Sequence, residues 1–222
     1  MNFAVPTKRV FRTMAVAASV TGLLIACSGD PPPSKRAGIT SSIGPNSSTA
    51  PYSGCPILTQ PIISVGDPAT QVFDNGTGGV AIECSVQPTG ADWAVNARVT
   101  ADARTADGTF IARGTITIQG TFKAWDKANP TATFTGIKGI FQRGDLGAVF
   151  TQTDCTVGYV DDQGRAIVIK DSNGIQPNVA SGRVWASITC NKAVASGGSQ
   201  GFTACAAQAT FRLENCDQGA QP

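Results

Sequence analysis

The most constraining feature of the chain is strict apolar–polar alternation over residues 93–122. Trp93, Val95, Ala97 and Val99 recur at every second position, with Asn96, Arg98 and Thr100 on the opposite parity. Further on, Ile116, Ile118, Gly120 and Phe122 alternate with Thr115, Thr117, Gln119 and Thr121. A period of two gathers one set of side chains on a single face of an extended strand, whereas a helix spreads it around the axis. Between the two runs sits Asp107-Gly108, which fits a two-residue hairpin turn with positive φ at both positions. With that turn Val99 faces Ile116, Ala97 faces Ile118 and Trp93 faces Phe122. The apolar faces then coincide, and a slip of one residue sets them against polar positions.

The same pattern recurs along the chain. Cys155, Val157 and Tyr159 lead to a turn at Asp161-Asp162-Gln163-Gly164, and residues 166–169 read as a return strand buried on both faces. Val184, Ala186, Ile188 and Cys190 oppose Cys205, Ala207, Ala209 and Phe211 across the Gly/Ser-rich loop 191–204. Further strands are predicted near 57–65, 79–86, 131–141 and 147–152, with Gly136 and Gly139 marking bulges or bends. No long segment carries a helical period. Nine or ten short strands joined by Gly, Asp and Asn turns predict an all-β fold, an antiparallel β-sandwich, with a β-barrel as the alternative.

Seven cysteines and no histidine bound the chemistry. Cys55, Cys84, Cys155, Cys190, Cys205 and Cys216 form an even set, which in an exported chain reads as up to three disulfides. The expected register sets Cys190 opposite Cys205 and makes that pair the first choice. Cys205 with Cys216 is disfavoured, because an extended segment between them carries their Cα atoms too far apart. No C-x-x-C spacing points to a metal cluster. The missing histidine removes Ser/His and Cys/His nucleophile pairs, zinc sites of the histidine type and the usual general base near neutral pH.

The amino terminus supplies the address. Lys8, Arg9 and Arg12 precede an apolar run over residues 14–25, which is too short to span a bilayer and ends in Leu24-Ile25-Ala26-Cys27. This segment resembles the signal and lipobox of bacterial lipoproteins. The resemblance implies cleavage before Cys27, a covalent lipid on that cysteine and a membrane-anchored place in the bacterial cell envelope. Ser28 after the cysteine implies outer-membrane sorting. The expected organisation is a signal over 1–26, a lipidated cysteine and disordered Ser/Pro/Gly tether over 27–51, and one β domain over 52–222. Cleavage removes three basic residues and takes the formal net charge from +2 to −1, which leaves no electrostatic footprint for nucleic acid.

Candidates for chemistry are few. Trp185 falls on the parity opposite to Val184, Ala186 and Ile188, beside Arg183, and Trp125 lies past the first hairpin. Trp125, Trp185 and Arg183 are therefore the candidate ligand contacts, for a sugar ring or a protein partner, if exposed. A covering loop or second sheet is the competing reading. Asp161, Asp162, Asp171 and Asn173 fit turn chemistry, with weak calcium-ligand character but no complete EF-hand spacing. Glu83 and Glu214, the two glutamates, offer at most an acidic pair. No nucleophile elbow or phosphate loop is present, and Ser196-Gly197-Gly198-Ser199-Gln200-Gly201 reads as a flexible connection. The sequence thus predicts a non-enzymatic binding or structural module, without cofactor apart from the lipid, facing an unknown protein or glycan partner. A carbohydrate-binding or carbohydrate-active sandwich is the alternative.

Overall fold

A computed structural model describes residues 32–45, 55, 59–161, 163–197 and 204–219. Cys27 and its lipobox-like run lie outside them, as does Asp162. The fold occupies one compact unit, Pro33–Pro222.

The described residues form thirteen strands and two single-turn 3₁₀ helices. The strands are β1 (Arg36–Gly44), β2 (Gln60–Val65), β3 (Phe73–Asp74), β4 (Ala81–Thr89), β5 (Asp92–Arg104), β6 (Phe110–Phe122), β7 (Thr133–Arg143), β8 (Val149–Gly158), β9 (Ile169–Asp171), β10 (Gly174–Gln176), β11 (Val179–Ala180), β12 (Arg183–Ser196) and β13 (Ala204–Glu214). One antiparallel sheet runs in the order β2-β1-β13-β12-β8-β7-β6-β5-β4, with β3 added to β1 and β11 to β12; β9 and β10 form a separate ribbon. This is the predicted all-β fold, built as a curled sheet whose two halves pack as a sandwich or half-barrel.

The curl closes at two places. The edge of β4 meets the tail after β13, where Val86 N donates to Asp217 O and Asp217 N donates to Cys84 O, both at 2.9 Å. Gly182 N, in the turn before β12, donates to Val86 O at 3.0 Å. At the other end β2 lies over β6, so that a Cβ placed on Gly114 would sit 2.0 Å from Ile62 O. Only glycine permits that approach. The Arg143 side chain, 2% exposed, locks this corner. Its guanidinium donates to both Asp145 carboxylate oxygens (2.6 and 2.9 Å), to Pro61 O and to Gln60 Oε1. A buried cation is tolerated because every side of it is hydrogen-bonded.

The predicted alternation is observed. Val95, Ala97, Val99, Ile116, Ile118 and Phe122 are buried together, and Trp93–Phe122, Ala97–Ile118 and Val99–Ile116 are cross-strand partners. The turn differs from expectation. Gly108 alone has positive φ, at 86°, and Gly108 N donates to Thr105 O at 2.9 Å. Asp107 instead clasps the loop through Thr109 N (3.2 Å) and Thr105 Oγ1. The loop is therefore one residue longer than a two-residue turn, and the extra residue is absorbed by a register shift at Ala103/Arg104.

Three further expectations are corrected. Residues 166–169 do not run back along β8 as a strand: the pairing stops at the Val160–Ala166 bridge and the bond from Ile167 N to Tyr159 O (3.0 Å), Val168 is 53% exposed, and Ile169 instead opens β9. Both edges of β8 are already taken, by β7 and β12, so no strand can be added. Cys190 faces Ala207 rather than Cys205, because β12 and β13 pair two residues away from the expected register and carry a bulge between Cys190 and Ala193. A slip of two preserves which face each side chain occupies, so alternation does not distinguish the two registers. Lastly, the disordered tether assigned to 27–51 does not extend through β1, and the domain does not begin at 52. β1 sits inside the sheet between β2 and β13, with Ala37, Ile39 and Ile43 buried. Ser41, on the same parity, exchanges two hydrogen bonds with the Ile63 backbone, at 2.9 and 3.0 Å, and so takes the place of a backbone partner at a bulge.

The disulfides are Cys55–Cys205, Cys84–Cys216 and Cys155–Cys190. The last joins neighbouring strands, since the β8–β12 register that pairs Val157 with Ile188 brings Cys155 opposite Cys190. The first two tie residues 150 and 132 positions apart. Three disulfides place the chain in an oxidising, non-cytoplasmic compartment. Among the described residues no helix is long and apolar enough to cross a membrane.

Candidate functional site

The outward face of β1, β13 and β12 carries a grid of small polar side chains. Ladder register aligns Thr40 with Thr210 and Ser187, and Ser42 with Gln208 and Thr189. These positions alternate with the buried Ile39, Phe211 and Ile188, so the pattern that builds the core also builds the grid. Neighbouring strands lie about 4.8 Å apart and alternate residues about 6.7 Å apart, which sets the spacing of the grid.

Two loops raise walls on this floor. Residues 66–71 fold over β1, where a Cβ on Gly38 would lie 2.9 Å from Gln71 O and 3.1 Å from Pro68 Cα. Asp67 holds that loop by accepting from Ala69 N and Thr70 Oγ1, each at 2.9 Å. On the other side Val160, Asp161, Gly164, Ile167 and Val168 stand beside β12. Asp161 clasps this loop, accepting from Gln163 N (3.0 Å), Arg165 N (2.8 Å) and Arg165 Nε (2.7 Å). Desolvation pushes the Asp161 carboxyl up, but the bonds from the Arg165 backbone, its guanidinium and Gln163 outweigh it and hold the group below the usual carboxylate range.

The result is an elongated trough. Its central hollow of about 410 Å³ is floored by the grid and walled by Val160, Asp161 and Gly164. Thr210 also lines a more apolar hollow of about 180 Å³ with Pro68, Ala69, Val168 and Trp185. Ser42, Thr189 and Gln208 also line a third, of about 220 Å³, that reaches Asn191. From Trp185 to Asn191 the trough follows β12 for about 20 Å.

The expected contact residues fall unevenly about this feature. Trp185 borders the trough, but the Arg212 guanidinium stacks on its ring 3.8 Å from the centroid. That face is therefore occupied by a cation–π contact. Arg183 lies away from the trough, in a hollow with Glu214 and Gln218, and donates to Pro177 O at 3.1 Å. Trp125 is half-buried against the core with its Nε1 unpartnered. Asp171 accepts from Asn173 N (2.7 Å) and Gln176 Nε2 (3.0 Å), which makes the Asp171–Asn173 segment a clasp for the β9–β10 turn. Among the described residues no group of three or more His, Cys, Asp or Glu side chains could hold a metal ion.

The two glutamates are not brought together. Glu83 lines a hollow of about 290 Å³ with Lys35, Arg98 and Asp217, in which Lys35 Nζ bonds Asp217 at 2.8 Å. Glu214 lines the separate Arg183 hollow and pairs with Arg212 at 2.7 Å and Arg36 at 3.8 Å. Near the wall loop, Tyr159 is buried and its hydroxyl donates to Lys123 O. Burial, with the Asp92 carboxylate nearby, pushes that phenol far up.

Sequence reasoning missed the grid residues. Ser187 and Thr189 were legible as outward positions of a strand, but Thr40 and Ser42 stood in the segment read as tether. Comparison of the chain with protein-family models, curated proteins and solved structures finds no match.

Proposed function

We propose that the chain is an exported, lipid-anchored protein of a bacterial cell envelope that acts without catalysis, as a binding module. The observation that carries this reading is the cysteine count. Six of seven cysteines are consumed in three disulfides, and the seventh, Cys27, stands in the sequence at the end of the lipobox-like run. Multiple acyl chains on one cysteine give firm attachment, whereas a single chain is marginal. Ser28 supports sorting to the outer membrane. Because β1 begins at Arg36, only residues 28–35 separate the lipidated cysteine from the sheet. That link spans about 30 Å when fully extended, so the anchor holds the domain close to the lipid surface.

Binding rather than catalysis is supported by the trough, which is polar and walled but has its one carboxylate spent on loop geometry. The separation of Glu83 from Glu214 into different hollows weighs against an acidic pair. The test is mass spectrometry of the protein isolated from membranes. The expected amino-terminal peptide begins at diacylglyceryl-modified Cys27, and Cys27→Ser should move the protein from the detergent-rich to the aqueous phase. An unmodified Cys27, or cleavage elsewhere, overturns the reading.

A further inference from the structure

We infer that the trough over β1, β13 and β12 binds a neutral oligosaccharide chain laid along the strands. This rests on the binding-module reading and names its ligand class. The floor is the first argument. Thr40, Ser187, Thr189 and Thr210 offer hydroxyls that no hydrogen bond engages among the described residues, and Gln208 Nε2 donates to Ser42 Oγ at 3.1 Å. Hydroxyls and carboxamides both donate and accept, which is what a surface of sugar hydroxyls requires.

Other ligand classes fit less well. An ionic ligand finds no free counter-charge in the central hollow, because Asp161 is saturated by Gln163 and Arg165. An apolar ligand strips water from the floor hydroxyls without replacing their hydrogen bonds. A peptide adding itself as a strand needs a free sheet edge, and β1, β13 and β12 each have ladder partners on both sides.

Shape makes the second argument. The three linked hollows form a groove about 20 Å long, which suits a chain of sugar units rather than a single compact molecule. At its Trp185 end the lining turns apolar, where the carbon face of a pyranose can rest against Val168 and Pro68 beside the edge of the Arg212-capped indole. Arg212 fixes the indole, and Asp67 and Asp161 fix the walls, so the site loses little freedom when it is filled.

The test titrates the disulfide-bonded mature chain, carrying Cys27→Ser for solubility, with maltotetraose, cellotetraose and chitotetraose. Tetragalacturonate serves as the anionic counterpart. Calorimetry and tryptophan emission should show saturable binding of at least one neutral tetrasaccharide, with Thr210→Val and Gln208→Leu each weakening it about tenfold. Ser187→Ala takes their place should either variant fail to fold by circular dichroism. No saturable binding of any neutral tetrasaccharide at millimolar concentration overturns the inference. So does binding unchanged by the floor substitutions, or a preference for tetragalacturonate. Mass analysis of the recovered sugars separates the two readings: cleaved products overturn the non-enzymatic reading and leave glycan binding standing. Absent binding, in turn, leaves the lipid on Cys27 untouched.

Discussion

A Cβ built on Gly139 lies 2.6 Å from Cys190 Sγ, 2.9 Å from Phe141 Cε2 and 3.0 Å from Cys155 Sγ. Its φ is ordinary, so what glycine supplies here is space above a cross-strand disulfide. Gly136, three residues earlier, has φ of 86° and open space around a Cβ. The two substitutions should therefore fail differently. Gly139→Ala should cost about 2 kcal/mol by overpacking, and Gly136→Ala about 1 kcal/mol through backbone strain. Urea unfolding of the oxidised protein checks this, and equal losses would refute the assignment. Asp161 gives a pH prediction at the same scale. Its folded carboxyl is held low, so its stabilising contribution is present above the unfolded value and is lost as pH falls through the folded one. Amide protection at Gln163 and Arg165, measured against the intrinsic exchange rate, should persist through the ordinary carboxylate range and be lost only below it. Asp161→Asn should make exchange there fast at every pH.

Among the elements, β1 changes most between sequence and structure. Ser, Pro and Gly make 28–54 poor in large side chains, and local composition gives no reason for order. Burial instead comes from neighbours: Ala37, Ile39 and Ile43 lie against the inward positions of β2 and β13, which contribute the bulk. A chain beginning at residue 52 therefore lacks an interior strand and exposes unpaired backbone on both β2 and β13. It should be insoluble or unfold without cooperativity, while the chain from Cys27 shows a single transition. A cooperative 52–222 fragment would contradict the sheet order. The register of the β5–β6 hairpin, in contrast, was legible from Trp93–Phe122 to Ala103–Ala112, because a buried face and a short loop narrow the choice, while the turn itself came out one residue longer than expected.

For the molecule as a whole, the disulfides and the curl belong together. Cys155–Cys190 reinforces strands already joined by a ladder, whereas Cys84–Cys216 holds the β4 edge against the tail after β13. Removing either bridge should cost about 2–5 kcal/mol. The local signatures should differ. Cys84→Ala with Cys216→Ala should speed amide exchange at Val86 and Asp217, and Cys155→Ala with Cys190→Ala should leave those amides protected. Peptide mapping without reduction should recover Cys55–Cys205, Cys84–Cys216 and Cys155–Cys190; a Cys190–Cys205 peptide would show the expected register rather than the observed one.

What the sequence determined by itself is the face of each residue in its longer strands. Period-two alternation is local, and it separates inward Val95, Ala97 and Ile188 from outward Asn96, Arg98 and Thr189 without reference to any distant partner. The same property explains what it left open. Alternation is blind to a slip of two, to which strand lies alongside, and to a strand of small residues buried by others. The β12–β13 register is such a slip of two between consecutive strands, whereas the place of β1 and two of the disulfides depend on contacts between residues far apart in the chain, 132 and 150 positions for those bridges. The trough inherits this dependence, since its floor joins residues 40–42, 187–189 and 208–210 and its walls come from two further loops. Only the folded sheet brings them onto one surface.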